Sequence, residues 1–249
     1  MRIRLFAARN MKEILRDPIN LFFGLGFPLI LMALLSLINA NIPPEANNPM
    51  FETKNLAPGL AMFGTAFMAL FTGMVLAKDR TSSFLTRLFA FPMTACDFLM
   101  GYTLPMLLIT AVQAVITLMA ACAFGLPVTV NIPAAVLVTV LTASLFIGIG
   151  LLCGSLMNDK AVGGICGALL INIAGWLSGV FIPIDLIGGG FKTVAHILPF
   201  YHGVAAIKTA LSGDFGALPL HAGVVLAYAA VIFLSAVLVF RSKMRGDKQ

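Results

Sequence analysis

Charge is what this sequence has least of. Asp, Glu, Lys and Arg make up 10% of its 249 residues, against 60% hydrophobic ones, whereas an ordinary soluble domain carries about a quarter charged residues. Too little charge is present to cover a water-exposed surface, so lipid is the principal solvent. Cysteine is also scarce. The four cysteines, Cys96, Cys122, Cys153 and Cys166, form no CxxC pair and none falls in a stretch read below as an outer loop, so neither a disulfide framework nor a cysteine metal site is expected. No Gly-Lys dipeptide occurs anywhere, which excludes a phosphate-cradling GxxxxGK[ST] loop and with it ATP hydrolysis by this chain alone.

What the sequence has in quantity is long apolar runs. A helix needs about 20 apolar residues to cross roughly 30 Å of hydrocarbon, and six stretches qualify: Ile19–Ala40, Ala57–Ala77, Phe98–Phe124, Ala134–Leu156, Val162–Ile182 and Leu220–Phe240. None of them holds Asp, Glu, Lys or Arg, as expected where a buried charge costs several kcal/mol. The run at the first span is too long for a cleaved signal peptide, so it reads as a retained anchor.

Thirteen of the sixteen Lys and Arg residues fall on one side of this arrangement, leaving Lys54, Lys192 and Lys208 on the other. The positive-inside rule therefore places both termini in the cytoplasm. Topology and anionic headgroups account for the net charge of +6, and a nucleic-acid partner is not implied.

The connections are unequal. Residues 1–17 read as an amphipathic interfacial helix, with Ile3, Ala7, Met11 and Ile14 on one face and Arg2, Arg9, Lys12 and Arg16 on the other. Lys78–Asp97 is the longest cytoplasmic connection; a short helix is expected there, stopped by Pro92, with Phe84, Leu88 and Phe91 sharing a face. That face is expected to bury against the membrane, the ends of the spans, or a second protein. Asn158-Asp159-Lys160 is a tight turn. Residues 183–219 are too apolar for a solvated loop and too interrupted to span; two short helices dipping back into the outer leaflet are expected over Val194–Phe200 and Val204–Leu211.

Within the spans, Gly150–Gly154, Gly163–Gly167 and Gly175–Gly179 are small-xxx-small pairs that allow close approach, either inside one chain or between subunits. Gly24, Gly26 and Pro28 are expected to bend the first span. Phe63, Phe67 and Phe71 form a stripe on the second span, and Asn172 and Trp176 share a face of the fifth. Each group serves either packing or ligand contact.

Chemistry inside the spans is absent. They contain no carboxylate, Lys, Arg or His of the kind that ion-coupled carriers place at mid-membrane. Gly175-Trp176-Leu177-Ser178-Gly179 has one residue too many for a GxSG protease turn, and no buried His stands by as general base.

This layout resembles the ABC-2 type permeases, the membrane subunits of ATP-binding-cassette exporters. Two stretches carry the resemblance: 78–94, reading KDRTSSFLTRLFAFPMT, similar to a charged helix-forming segment ending in Pro-x-Ser/Thr; and Phe181-Ile182-Pro183-Ile184-Asp185 with Leu198-Pro199, similar to the motif after span five. The sequence departs from the family pattern in lacking a Glu followed by Gly-Thr/Ser in the first stretch, having Asp79 and then Thr81-Ser82-Ser83.

The resemblance implies an all-α membrane protein formed as a single transmembrane domain over 1–249. It has six transmembrane helices, an N-terminal amphipathic interfacial helix and a re-entrant outer helical segment over 183–219. It further implies a coupling helix over 79–91, with Asp79, Arg80, Phe84, Leu85, Arg87 and Leu88 meeting an ABC ATPase subunit, and a connecting helix bearing Arg9, Lys12, Glu13 and Arg16. Partners would be that ATPase, which binds ATP and Mg, and a second permease copy or paralogue; this chain itself would hold no cofactor. The substrate cavity would fall on spans two and five, at Phe63, Phe67, Phe71, Asn172 and Trp176, suiting a hydrophobic or amphipathic compound, in a plasma (inner) membrane protein. The alternative is a secondary carrier or channel that works without a cassette.

Overall fold

The computed structural model describes residues 2–43, 52–82 and 94–246. Among them the secondary structure is helical throughout. The chain starts with α1 (Arg2–Leu15) and continues with α2 (Pro18–Asn41), α3 (Thr53–Thr81), α4 (Ala95–Ala123), α5 (Ile132–Leu156) and α6 (Asp159–Leu177). Three shorter helices follow, α7 (Ile184–Ile187), α8 (Gly189–Ile197) and α9 (Pro199–Ser212), before the last, α10 (Leu218–Gly246). Six of these helices, α2 to α6 and α10, are long and apolar enough to cross a membrane.

Local chemistry sets most of the boundaries. The Asp17 carboxylate accepts from the Ile19 and Asn20 amides at 3.1 Å each, and Pro18 takes the first helical position, so α1 stops and α2 starts within two residues. Thr94 and Asp97 form a capping box at the start of α4: the Thr94 hydroxyl accepts from the Asp97 amide at 3.2 Å, and Asp97 accepts from the Thr94 amide at 2.9 Å. The Thr of the Pro-x-Ser/Thr element is therefore the N-cap of span three. Asn158 caps α6 through a 2.9 Å bond from the Ala161 amide, making the expected tight turn after α5.

Three irregularities depart from regular α-helix: Gly163–Leu170 within α6 is wound as a π-helix, and two others fall where the sequence has breakers. In α2, Phe22–Gly26 is wound as a π-helix, with the Phe27 amide bonding to the Phe22 carbonyl five residues back. Pro28 has no amide to give Gly24, and the ladder shifts register just ahead of it. Span five is shorter than expected: the helix ends at Leu177, and Ser178–Ile182 lies outside it. The reason is Gly179, whose φ of +79° is the left-handed stop that a side chain would disfavour.

Helix α3 is the centre of the bundle, with 89% of its most apolar stretch buried, against 22% for α2 and α10 and 28% for α6. It lies most closely on α5. A methyl group built on Gly150 would sit 3.0 Å from the Ala69 Cα, and one on Gly154 would sit 2.6 Å from the Gly73 carbonyl oxygen. Backbone thus meets backbone, the packing that lipid-embedded helices exploit in place of a hydrophobic drive. The Gly150–Gly154 pair is spent on contact within the chain, whereas Gly163 meets open space.

At the end opposite α1, α9 packs on α10, α5 and α3, burying Phe200, Ile207 and Ala210. Two short helices are present, but the break between them falls at Leu198 and not after Phe200: α8 ends at Ile197, and Pro199 and Phe200 open α9. Leu198 between them is extended, as the residue before a proline must be.

Candidate functional site

The charged side chains of the described residues gather at the two ends of the bundle. At the basic end, α1 lies on α4. Its buried residues are Phe6, Asn10 and Ile14, at i, i+4 and i+8. Phe6 meets Phe98 and Tyr102 edge-on, with centroids 5.9 and 5.0 Å apart. Asn10 is wholly buried and donates to the Gly101 carbonyl at 3.0 Å. The face expected from Ile3, Ala7, Met11 and Ile14 is therefore rotated so that a polar residue sits at its centre, satisfied by the backbone of α4.

Arg9 and Asp79 together link α1, α3 and α4. The Arg9 guanidinium grips Asp79 with both terminal nitrogens, at 2.5 and 2.9 Å, and reaches Asn10 Oδ1 at 2.8 Å and Glu13 at 2.7 Å. Asp79 is 4% exposed and takes a further 2.8 Å bond from the Tyr102 hydroxyl. Burial by itself would lower the Arg9 pKa. The hydrogen bond and charge of Asp79, with Glu13 behind, outweigh that effect and raise it. The pair is a fork-to-fork contact with strong, directional bonds.

The next residue turns the other way. Arg80 donates to the Gly154 carbonyl at 3.1 Å and to the Ser155 carbonyl, two acceptors in the last turn of α5 that have no partner further along their own helix. A cation there also opposes the negative end of the helix dipole. Asp79 and Arg80 thus tie the end of α3 to α1, α4 and α5, and α3 continues as one helix through both of them to Thr81. Of the other residues named for ATPase contact, Phe84, Leu85, Arg87 and Leu88 lie outside the described residues. Lys12 on α1 and Arg16 in the turn after it are exposed.

The aromatic stripe and the polar pair of the fifth span are not brought onto one surface. Phe63, Phe67 and Phe71 are 5%, 6% and 2% exposed. Span one covers them: Phe23 stacks on Phe67 at 6.0 Å, and Phe27 packs against Phe63 at 6.3 Å and Phe67 at 5.9 Å. Asn172 and Trp176 face outward, Trp176 at 48% exposure. Asn172 donates to the Ala168 carbonyl of its own helix at 2.6 Å, with no bond to another span among the described residues. Phe181 bridges the two groups, 6.2 Å from Trp176 and 5.3 Å from Phe63.

Several polar contacts had no signal in the sequence. At the far end, His202 Nδ1 lies 2.9 Å from His221 Nδ1, and His202 Nε2 lies 2.9 Å from the His196 carbonyl oxygen. The carbonyl requires a proton on Nε2, so in a neutral ring Nδ1 accepts from His221. In mid-bundle, buried Gln113 of α4 donates to the Ala61 carbonyl of α3 at 3.4 Å. No group of three or more His, Cys, Asp or Glu able to hold a metal ion occurs among the described residues.

These features define a multi-pass α-helical membrane protein with its charged side chains at the ends of the spans. The family model for the ABC-2 type transporter matches residues 1–211, and the chain belongs to that family. The match stops within α9 and leaves α10 beyond it. A search of curated proteins found no match. The chain is accordingly a membrane-spanning permease subunit of an ABC transporter, a kind of subunit that is not itself catalytic and works with an ABC ATPase subunit.

Proposed function

We propose that this chain forms half of the membrane part of an ABC exporter. Two copies, or this chain and a paralogue, pair in the plasma (inner) membrane with their termini in the cytoplasm, and two ATPase subunits below them bind ATP and Mg. The cargo is a hydrophobic or amphipathic compound such as a drug, an antibiotic or a lipid. The observation that carries the cargo class is the outward face of α6: half-exposed Trp176 with Asn172, uncharged, and backed through Phe181 by buried Phe63, Phe67 and Phe71. Such a face offers one amide for orientation and apolar area for affinity.

Coupling runs through the end of α3. Phe84, Leu85 and Leu88 seat in the ATPase, while Arg87 pairs with acidic groups there. Closure of the ATPases on ATP pushes on residues 79–91. Because Asp79 is bonded to Arg9 and Tyr102, and Arg80 to the end of α5, the push reaches α1, α4 and α5 together and shifts the population from inward-open to outward-open. The connecting helix, with Arg9, Lys12, Glu13 and Arg16, moves with α3 as one piece.

The test is ATP-dependent movement of a hydrophobic fluorescent dye in liposomes holding this chain and its ATPase. Trp176→Ala is expected to weaken dye stimulation of ATP hydrolysis about tenfold, the worth of one aromatic contact of roughly 1.4 kcal/mol. Dye stimulation that is the same with and without the indole would remove α6 from the cargo path.

A further inference from the structure

A sizeable cavity of the structure lies outside the span interior. It is a groove of about 940 Å³ at the basic end, between α1, the start of α2, the end of α3 and the first residue of α6. Its floor is apolar, with Ile14, Met74 and Val75. Its walls carry Lys12, Arg16 and Lys78, and none of these three has an ion-pair or hydrogen-bond partner for its side chain among the described residues. The other charges of the groove are already engaged. Arg9 is held by Asp79 and Glu13, and Asp17 caps α2. On the acidic side only the Asp159 carboxylate, which accepts just the Lys160 amide, is as lightly engaged. Counting every charge of the lining, Arg9, Lys12, Arg16 and Lys78 stand against Glu13, Asp17 and Asp159, a net of +1, and the three unpartnered cations are the groups left to meet a ligand.

Its position fixes the chemistry of what would fill it. Pro18 begins span one, Lys78 lies in the last turn of span two and Asp159 begins span five, so the groove lies at the level where hydrocarbon gives way to headgroups. Beside it Leu15 is 54% and Ile19 67% exposed, apolar side chains that need acyl chains rather than water around them. A partner from the aqueous phase would satisfy the cations and leave these residues uncovered.

We infer that this groove is a binding site for an anionic phospholipid of the surrounding leaflet. The headgroup phosphate is met by Lys12, Arg16 and Lys78, and the first methylenes of the chains lie along Ile14, Met74 and the exposed Leu15 and Ile19. A lipid seated there would touch α1, α3 and α6 at once, next to the Arg9–Asp79 pair, and would hold α1 against the bundle.

The experiment is native mass spectrometry and thermal unfolding of the purified full chain in detergent, titrated with phosphatidylglycerol or phosphatidylcholine. Phosphatidylglycerol should bind in preference and raise the melting temperature. Lys12→Gln, Arg16→Gln and Lys78→Gln should each weaken that binding about fivefold, while Lys12→Arg and Lys78→Arg should preserve it. Should the glutamine variants not fold, Asp159→Asn provides the reverse test, since removing this opposing carboxylate should tighten binding about fivefold. Inorganic phosphate at the same concentration should not compete, because it has no chains to bury. Equal binding of the two lipids, full displacement by inorganic phosphate, or unchanged phosphatidylglycerol binding in variants that have instead lost the ATPase would each overturn the inference.

Discussion

The Asp79 carboxylate and the Arg9 guanidinium meet fork to fork across 70 residues of sequence, and the two partners are buried unequally: the Asp79 side chain is 4% exposed and that of Arg9 37%. This inequality makes the two halves of the pair non-equivalent. Deleting Arg9 strands a carboxylate in a closed site where, among the described residues, only Tyr102 is left to meet it. Deleting the charge of Asp79 leaves an arginine that can still reach Glu13 and water.

Arg9→Ala is therefore expected to destabilise the chain by about 2–3 kcal/mol, below the full range for breaking a buried pair because Arg9 is partly solvated. Asp79→Asn, which keeps an acceptor for Tyr102, is expected to lose about 1 kcal/mol. Unfolding in mixed micelles measures both, and the reverse order would mean that Asp79 is not closed off as described.

Arg80 serves the end of α5. Replacing it by Ala frees the Gly154 and Ser155 carbonyls, at an expected loss of about 1–2 kcal/mol. Hydrogen exchange should quicken through residues 154–160, the turn into α6, and remain as before in α4. Uniform quickening would show a general rather than a local role.

The glycines of the fourth and fifth spans should respond in opposite directions. Gly150→Val places a side chain into the Ala69 backbone and is expected to cost at least 1–3 kcal/mol as overpacking. Gly163→Ala meets no neighbour within 4 Å and keeps a right-handed backbone at the start of the π-helical stretch Gly163–Leu170, so it is expected to gain about 0.5–1 kcal/mol by restricting the unfolded chain. Purified yield and melting temperature distinguish the two.

At the far end, His202→Phe loses both imidazole bonds, to His221 and to the His196 carbonyl. His196→Phe keeps the carbonyl, which any residue supplies. Faster amide exchange over 189–212 is expected for the first and little change for the second. Equal effects would mean that ring packing on Tyr201, at 4.2 Å from His196, governs the contact instead.

The spans were legible because the sequence separates apolar runs from charges so cleanly, and Asp17-Pro18, Asn158 and Pro199 mark ends through chemistry confined to neighbouring residues. What was not legible is contact between distant parts. Periodicity places Phe63, Phe67 and Phe71 on one face of span two, but only the fold shows that Phe23 and Phe27 cover that face. Asn10 interrupts an apolar face in the sequence and is buried because the Gly101 carbonyl lies opposite. Asp79 reads as the first residue of a cytoplasmic segment; its partners, Arg9 and Tyr102, lie on two other helices. The length of span five was overestimated because the residues after Gly179 are as apolar as those before it, while the stop is a backbone conformation.

The central claim is that the stretch after Asp79 binds the ATPase while the Asp79 tie carries its movement into the bundle. Co-purification of the chain with its ATPase tests it most directly, comparing wild type, Phe84→Asp/Leu88→Asp and Asp79→Asn for bound ATPase and for dye-stimulated hydrolysis. The expected result is that the double variant loses the ATPase, while Asp79→Asn retains it and loses most of the stimulation. An ATPase still held by Phe84→Asp/Leu88→Asp, or full stimulation in Asp79→Asn, would contradict the account.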